Sequence, residues 1–295
     1  MNLHALRLFY TVTKCESVTA AAEQLRISQP AVTAQIKKFE RELGLPLFKP
    51  KGRGVILTEF GESLAKQAKH LFALEQHMES TIEAFLSGKK GKIRIVATYL
   101  PANFLIPEWA ATFKTQYEEV DITITTTNSQ GAFEQLSSYE ADIAVYGGGA
   151  AHHPDTIAWE ELFEDELWFV VAPQHHYAHQ EVSLEEMMTE PFIMREEGSS
   201  TRERLVALCQ SHDIKPPTVA LQFNGLHEAI RTVMAGYGVN FISSLVVRDY
   251  VARGELARVK VRGLKLVNKI ALCTRKHDTR SPLVNHFIET VKKNV

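Results

Sequence analysis

Residues 17–35 constrain the fold more tightly than any other part of the chain. They read as two short helices joined by a tight turn. Ala21, Ala22 and Leu25 place small and apolar side chains on one face of the first helix. The second opens on Ser28 as N-cap, with Pro30 in a first turn where a missing N–H is no loss. Ala31, Val32, Ile36 and Phe39 form its apolar side, and Gly44 after Glu40-Arg41-Glu42-Leu43 marks its end. The remaining face carries Gln29, Thr33, Gln35, Lys37 and Lys38. Amides, hydroxyls and cations are what base edges and phosphates require, and small residues let two helices approach as a helix-turn-helix needs.

Leu47 to Thr58 then reads as two short strands around a tip with two glycines, loaded by Lys49, Lys51 and Arg53. A helix for the major groove and a basic hairpin for backbone or minor groove make a winged helix. The charge distribution agrees. Residues 1–53 hold nine Lys/Arg against four Glu, a net of +5, whereas residues 91–295 hold 20 basic against 26 acidic, a net of −6. A polyanion therefore meets the N-terminal part.

The motifs Ala21-Ala22-x-x-Leu25, Ser28-Gln29-Pro30-Ala31, Glu42-Leu43-Gly44, Leu47-Phe48 and Leu57-Thr58-x-x-Gly61 resemble the N-terminal domain of LysR-type transcriptional regulators. Length and layout extend the resemblance over the whole chain. Three positions depart from the family pattern: Pro50 and Ala34 stand where Arg is common, and Phe60 where Ala is usual. The first two remove possible DNA contacts. The resemblance implies an α/β protein: an N-terminal winged helix-turn-helix (1–58), a linker and dimerisation helix with a hinge (59–90), and a two-lobed effector-binding domain of periplasmic-binding-protein type (91–295). Lobe I would comprise 91–161 and 267–295, and lobe II 162–266. It further implies operator duplex DNA and a small-molecule effector as partners, RNA polymerase if the protein activates, and a homodimer through the linker helix that joins into a homotetramer. The residues expected at DNA are Ser28, Gln29, Pro30, Thr33, Gln35, Lys37, Lys38 and Arg53.

Thr58 caps a proline-free stretch from Glu59 to Lys90. Within it Leu64, Leu71, Leu74, Met78, Ile82 and Phe85 recur near heptad spacing. Such a stripe packs either on its own domain or on a second linker helix, and the polar outward face favours the dimer. Ser87-Gly88-Lys89-Lys90-Gly91 reads as a hinge.

From Lys92 strands and helices alternate. Strands are expected at Ile93–Ala97, Val120–Thr126, Ile143–Tyr146, Leu167–Ala172, Phe192–Met194, Val239–Ile242 and Ile270–Thr274. Helices are expected near 103–116 and 130–138, at Thr201–His212 and Leu226–Ala235, and at the terminal Pro282–Lys293. Ligands of such sheets sit at strand carboxyl ends, near helix N-termini. Four segments qualify and coincide with cleft segments of the family: Thr98–Asn103 with Leu100 and Pro101, Asn128-Ser129, Gly198-Ser199-Ser200-Thr201-Arg202, and Asn224-Gly225. Three hydroxyls, helix N–H groups and the Arg202 guanidinium suit a carboxylate, phosphate or sulfate. The plainer reading of that turn is a Ser/Thr N-cap beside a surface arginine. The expected co-inducer is accordingly a small anion, with no cofactor.

His175, His176 and His179 cluster, yet no Cys or carboxylate partner in the sequence completes a metal site, so none is expected. Cys209 and Cys273 carry no mark of activation, and Gly147-Gly148-Gly149 lacks the spacing of a nucleotide loop. No Gly-x-Ser-x-Gly, HExxH or paired-carboxylate arrangement argues for an enzyme. Three scattered cysteines, no basic leader before an apolar core and no run of about 18 apolar residues point to the cytoplasm, away from membranes. A solute-binding protein remains the alternative on the α/β half, and the winged helix argues against it.

Overall fold

In the computed structural model, residues 2–51, 54–87, 90–148 and 154–295 are described. Arg53, Gly88, Lys89 and Gly149 lie outside them. The chain forms two compact units, residues 1–79 and 80–295.

The first unit runs α1 (Leu3–Cys15), α2 (Val18–Leu25), α3 (Gln29–Leu43), β1 (Phe48–Lys51), β2 (Gly54–Leu57) and the first part of α4 (Glu59–Ser87). Val32, Ile36 and Phe39 recur at helical spacing on α3 and are buried with Leu6, Phe9, Val12 and Leu47. Each large side chain so buried contributes about 1.5–3 kcal/mol. The helix ends are set locally. Ser17 accepts from the Ala20 N–H at 3.3 Å, Ser28 accepts from the Ala31 N–H at 3.4 Å, and Gly44 closes α3 at φ 72°. The strands pair antiparallel from Phe48 with Leu57 to Lys51 with Gly54. The Glu40 carboxylate accepts the N–H groups of Leu47 (2.7 Å) and Phe48 (3.1 Å) and so ties α3 to the hairpin.

Thr58 caps α4, its hydroxyl accepting the Gly61 N–H at 3.0 Å. Gly61 leaves no room for a side chain: a Cβ there would lie 2.2 Å from the Leu47 carbonyl oxygen. Gly61→Ala is therefore expected to lower stability by about 1–3 kcal/mol. Urea unfolding of the full chain checks this, and an unchanged midpoint for the first transition would contradict the close approach.

The apolar stripe of α4 divides. Leu64 packs with Ala68 and Phe72 on the unit's own core, which corrects its assignment to an outward seam. Leu71 and Met78 are exposed. Farther along, in the second unit, Ala84 packs on the α/β core while Ile82, Phe85 and Leu86 are exposed.

The second unit continues with β3 (Gly91–Thr98), α5 (Tyr99–Phe104), α6 (Ile106–Lys114), β4 (Val120–Thr127), α7 (Ser129–Ser137), β5 (Ile143–Gly148), β6 (Ile157–Val171), β7 (Glu181–Val182), α8 (Leu184–Met188) and β8 (Phe192–Arg195). It is completed by α9 (Ser200–Ser211), β9 (Val219–Phe223), α10 (Leu226–Met234), β10 (Val239–Ser243), α11 (Ser244–Ala252), β11 (Ala257–Val261), β12 (Val267–Arg275) and α12 (Pro282–Lys293). The strands lie in the order β4-β3-β5-β12-β6-β10-β8-β9, with β11 beside β6 and β7 beside β11. The inner pairs of each half, β3 with β4 and β5, and β8 with β9 and β10, are parallel.

Two strands join the halves into one sheet. β6 pairs with β12 along Ile157–Glu166 and with β10 along Leu167–Val170. A register shift at Ile270/Ala271 bends this antiparallel junction. The Leu167–Ala172 strand is thus the last part of a fifteen-residue element. The single helix expected near 103–116 is two helices, broken at Leu105, whose φ −122° and ψ −55° leave the helical region. Separate cores fill the halves: Ile93, Ile106, Phe113, Ile143 and Phe287 in lobe I, and Phe169, Met187, Phe192, Leu205 and Phe241 in lobe II.

Candidate functional site

One cavity of about 30 Å³ lies between the lobes, where strand ends and helix starts meet. Thr98, Tyr99 and Leu100 reach it from the end of β3, and Ser129 from the start of α7. Ser199, Ser200 and Thr201 come from the start of α9, and Ser243 and Val246 from that of α11. Asn268 lines it from β12. All of these positions but Asn268, which stands at the start of β12, follow the rule that strand carboxyl ends and helix N-termini build the ligand sites of α/β sheets. The helices leave donors there. Neither Ser199 nor Ser243 caps its helix with its side chain, so first-turn N–H groups of α9 and α11 have no side-chain acceptor at those positions.

The two walls touch. The Ser200 hydroxyl donates to the Gly147 carbonyl at 2.8 Å, and the Gly147 N–H donates to Thr98 Oγ1 at 3.1 Å. The Asn128 amide donates to the Glu197 carbonyl at 3.4 Å. Tyr146 is buried beside Ser129 and Ser200, and its burial pushes the hydroxyl above the usual range against the pull of its hydrogen bonds with both serines. A cavity of this size holds about two water molecules.

The charged lining is Arg195 and Glu196, among the described residues. Arg195 ends β8, and its guanidinium carbon lies 4.4 Å from the centre of the Tyr99 ring on the opposite wall. Its Nε and Nη2 donate to the two Glu196 carboxylate oxygens at 2.9 and 3.0 Å. Sequence reasoning missed Arg195, although an arginine at the carboxyl end of a strand is the signal that rule provides.

The other expected residues are placed differently. Arg202 does not line the cavity. Its Nη1 donates to the Gln222 side chain (2.6 Å) and to the Arg195 carbonyl (3.1 Å), and Nη2 lies 3.6 Å from Glu197. Asn224 is exposed and Pro101 is buried within α5; neither lines the cavity. The hinge side is held by side chains. Asp165 on β6 accepts hydrogen bonds from Ser243 and Ser244 at the start of α11, and Arg204 of α9 donates to the Val267 carbonyl and to Asn268.

On the first unit, Gln29, Pro30, Ala34, Gln35, Lys37 and Lys38 are exposed along α3, and Thr33 is half-buried. The Gln29 amide donates to the Thr33 hydroxyl at 3.1 Å. Arg41, four residues beyond Lys37, is exposed with them and escaped the sequence reading; its spacing from Thr33 and Lys37 was the available signal. Lys49 and Lys51 are exposed on the hairpin.

His175 and His176 do meet a carboxylate, contrary to the sequence expectation: Glu190 lies 3.4 and 3.1 Å from their Nε2 atoms. His175 Nδ1 accepts the Tyr177 N–H at 3.1 Å, which leaves the ring proton on Nε2, where a metal would need a lone pair. His179 is not in this group. Cys209 and Cys273 sit in different cores, and burial pushes both thiols up, Cys273 to about 12. No described helix is long and apolar enough to cross a membrane.

Residues 3–62 match the bacterial regulatory helix-turn-helix protein, lysR family, and residues 87–295 match the LysR substrate binding domain. The chain is 33% identical over 262 residues to the uncharacterised HTH-type transcriptional regulator YeiE of Escherichia coli K12, covering 88% of this chain and 87% of that one. It is 28% identical to the RuBisCO operon transcriptional regulator of Allochromatium vinosum, over 99% and 95%. Full-length CbnR in complex with its target DNA superposes with a TM-score of 0.75 at 19% identity, with 100% of both chains covered. The CcmR regulatory domain of Synechocystis PCC6803, in complex with 2-PG, superposes with 0.62 at 17% identity over 69% of this chain and 96% of that one. These relatives are regulators rather than enzymes, and the chain belongs to the LysR family of DNA-binding transcriptional regulators.

Proposed function

We propose that this regulator responds to a small anion held in the Arg195 cavity, and that the anion acts by drawing the two lobes together. The observation that carries the reading is the meeting of the α7, α9 and α11 N-termini at one cavity with an arginine. Helix N-termini carry partial positive charge and point N–H groups at whatever sits before them. A ligand bonded by Ser129 and Thr98 on one wall, and by Ser200 and Arg195 on the other, binds the closed cleft better than an open one. Only such a difference shifts a conformational equilibrium. The volume of the closed cavity favours an inorganic oxyanion or a short carboxylate over an aromatic acid. The CcmR neighbour, with 2-PG in its regulatory domain, supports a small ligand.

In this reading α3 enters the major groove. Thr33 and Gln29 stand near base edges, and Lys37, Lys38 and Arg41 near phosphates. The hairpin leans on the backbone through Lys49 and Lys51. Two copies join along the exposed α4 stripe, and two dimers form a tetramer that works in the cytoplasm and contacts RNA polymerase if it activates. Lys37→Ala and Arg41→Ala are each expected to weaken binding to all duplexes and to lower the slope of log K against log salt by about one. Fluorescence anisotropy with labelled duplex at several salt concentrations measures this. An unchanged slope in both variants would remove α3's outer face from the interface.

A further inference from the structure

We propose that Glu196 is an internal occupant of the anion site, which an incoming anion must displace from Arg195. The inference rests on the reading of the cleft as an anion site. Arg195 and Glu196 are neighbours in sequence, and both side chains are largely buried, at 8% and 14% exposure. The carboxylate takes the guanidinium edge with two parallel bonds, the geometry a ligand carboxylate, sulfate or phosphate uses. Glu196 therefore fills the place on Arg195 that a free anion would otherwise take.

The two partners are held unequally. Arg195 keeps a second contact, the Tyr99 ring across the cleft, when its carboxylate partner leaves. The Glu196 carboxylate hydrogen-bonds only Arg195 among the described residues. It stands in the short segment between β8 and α9, so it can turn to solvent without disturbing either element. A fixed cation and a releasable carboxylate are what an exchange of anions needs. The exchange leaves Arg195 with one anionic partner, and the incoming anion gains in addition the N–H groups at the starts of α9 and α11. Glu196 then sets the response threshold: apparent affinity is the intrinsic affinity multiplied by the fraction of molecules in which Arg195 is free.

The test is calorimetric titration of the full chain with sodium sulfate and, separately, sodium acetate. Wild type, Glu196→Gln, Glu196→Ala and the Arg195→Gln/Glu196→Gln double variant are compared. Both single variants are expected to bind sulfate at least about tenfold more tightly than wild type, which corresponds to Arg195 being free about a tenth of the time or less. The double variant is expected to lose that gain. Binding that is unchanged or weaker in both single variants, with sulfate still bound by wild type, overturns the role of Glu196 and leaves the anion cleft standing. Absence of sulfate and acetate binding in wild type and in both single variants overturns the anion cleft, and this proposal with it. The glutamine variant preserves the shape of the side chain, and its thermal unfolding confirms the fold.

Discussion

An Arg195→Gln chain is expected to bind small anions at least about 30-fold more weakly than wild type, with its fold intact. Removing one partner of a desolvated, hydrogen-bonded charge pair lowers affinity by about 2–5 kcal/mol. Here the effect is compounded: Glu196 stays behind without its partner, and the cavity loses its positive side chain. Arg202→Gln is the matched control. Its guanidinium is spent on Gln222, the Arg195 carbonyl and Glu197, so its loss is expected to move affinity less than about threefold, by the weakness of partly exposed pairs. Isothermal titration of both variants with the same anion decides between the two arginines. An Arg202→Gln loss larger than that of Arg195→Gln would return the site to the turn that the sequence alone favoured.

Leu71→Glu combined with Met78→Glu is expected to convert the protein to monomers. Both side chains stand exposed on α4, seven residues apart, on the first unit. An isolated helix gains nothing by displaying Leu71 and Met78 to water, while a partner helix buries both. Placing two carboxylates in such a seam disfavours association by at least about 3 kcal/mol, more than a hundredfold in the dissociation constant. Light scattering at micromolar concentration reads the mass. The second-unit residues Ile82 and Phe85 extend the exposed stripe and offer an independent pair of positions. A double variant that kept the wild-type mass would place the dimer contact elsewhere.

The DNA-binding unit was legible because its signals are local. Ser28, Pro30 and Gly44 act within a turn of their own helix, and the burial of Val32, Ile36 and Phe39 follows from their spacing. Gly61 belonged to a recognisable motif, yet its reason is a contact with Leu47, fourteen positions away. The cleft segments were legible through the ends of strands and the starts of helices. What escaped depends on where a side chain turns. Arg202 stands among hydroxyls in sequence, but Gln222, twenty residues on, draws it out of the cavity. Arg195 closes an apolar strand and reads as its solvent-facing end until Tyr99 is placed opposite. The first part of β6 hid for a different reason. Glu160, Glu161, Glu164, Asp165 and Glu166 look like a solvated loop, whereas they pair with β12, with Glu161 against Lys269 and the buried Asp165 bonded to Ser243 and Ser244. Glu190 joins His175 and His176 only through the fold, which no spacing announces.

The central claim is that one anion site in the α/β unit controls DNA binding by the winged helix. Its most direct test is the affinity of the full chain for a duplex selected from a random pool, measured by anisotropy with increasing sulfate at constant ionic strength. Wild type and Arg195→Gln are titrated side by side, the variant reporting the general effect of sulfate on protein–DNA contacts. Coupling between two sites is typically 1–3 kcal/mol, so the wild-type dissociation constant is expected to change by about fivefold or more while that of Arg195→Gln stays flat. Parallel curves for the two proteins would contradict the account.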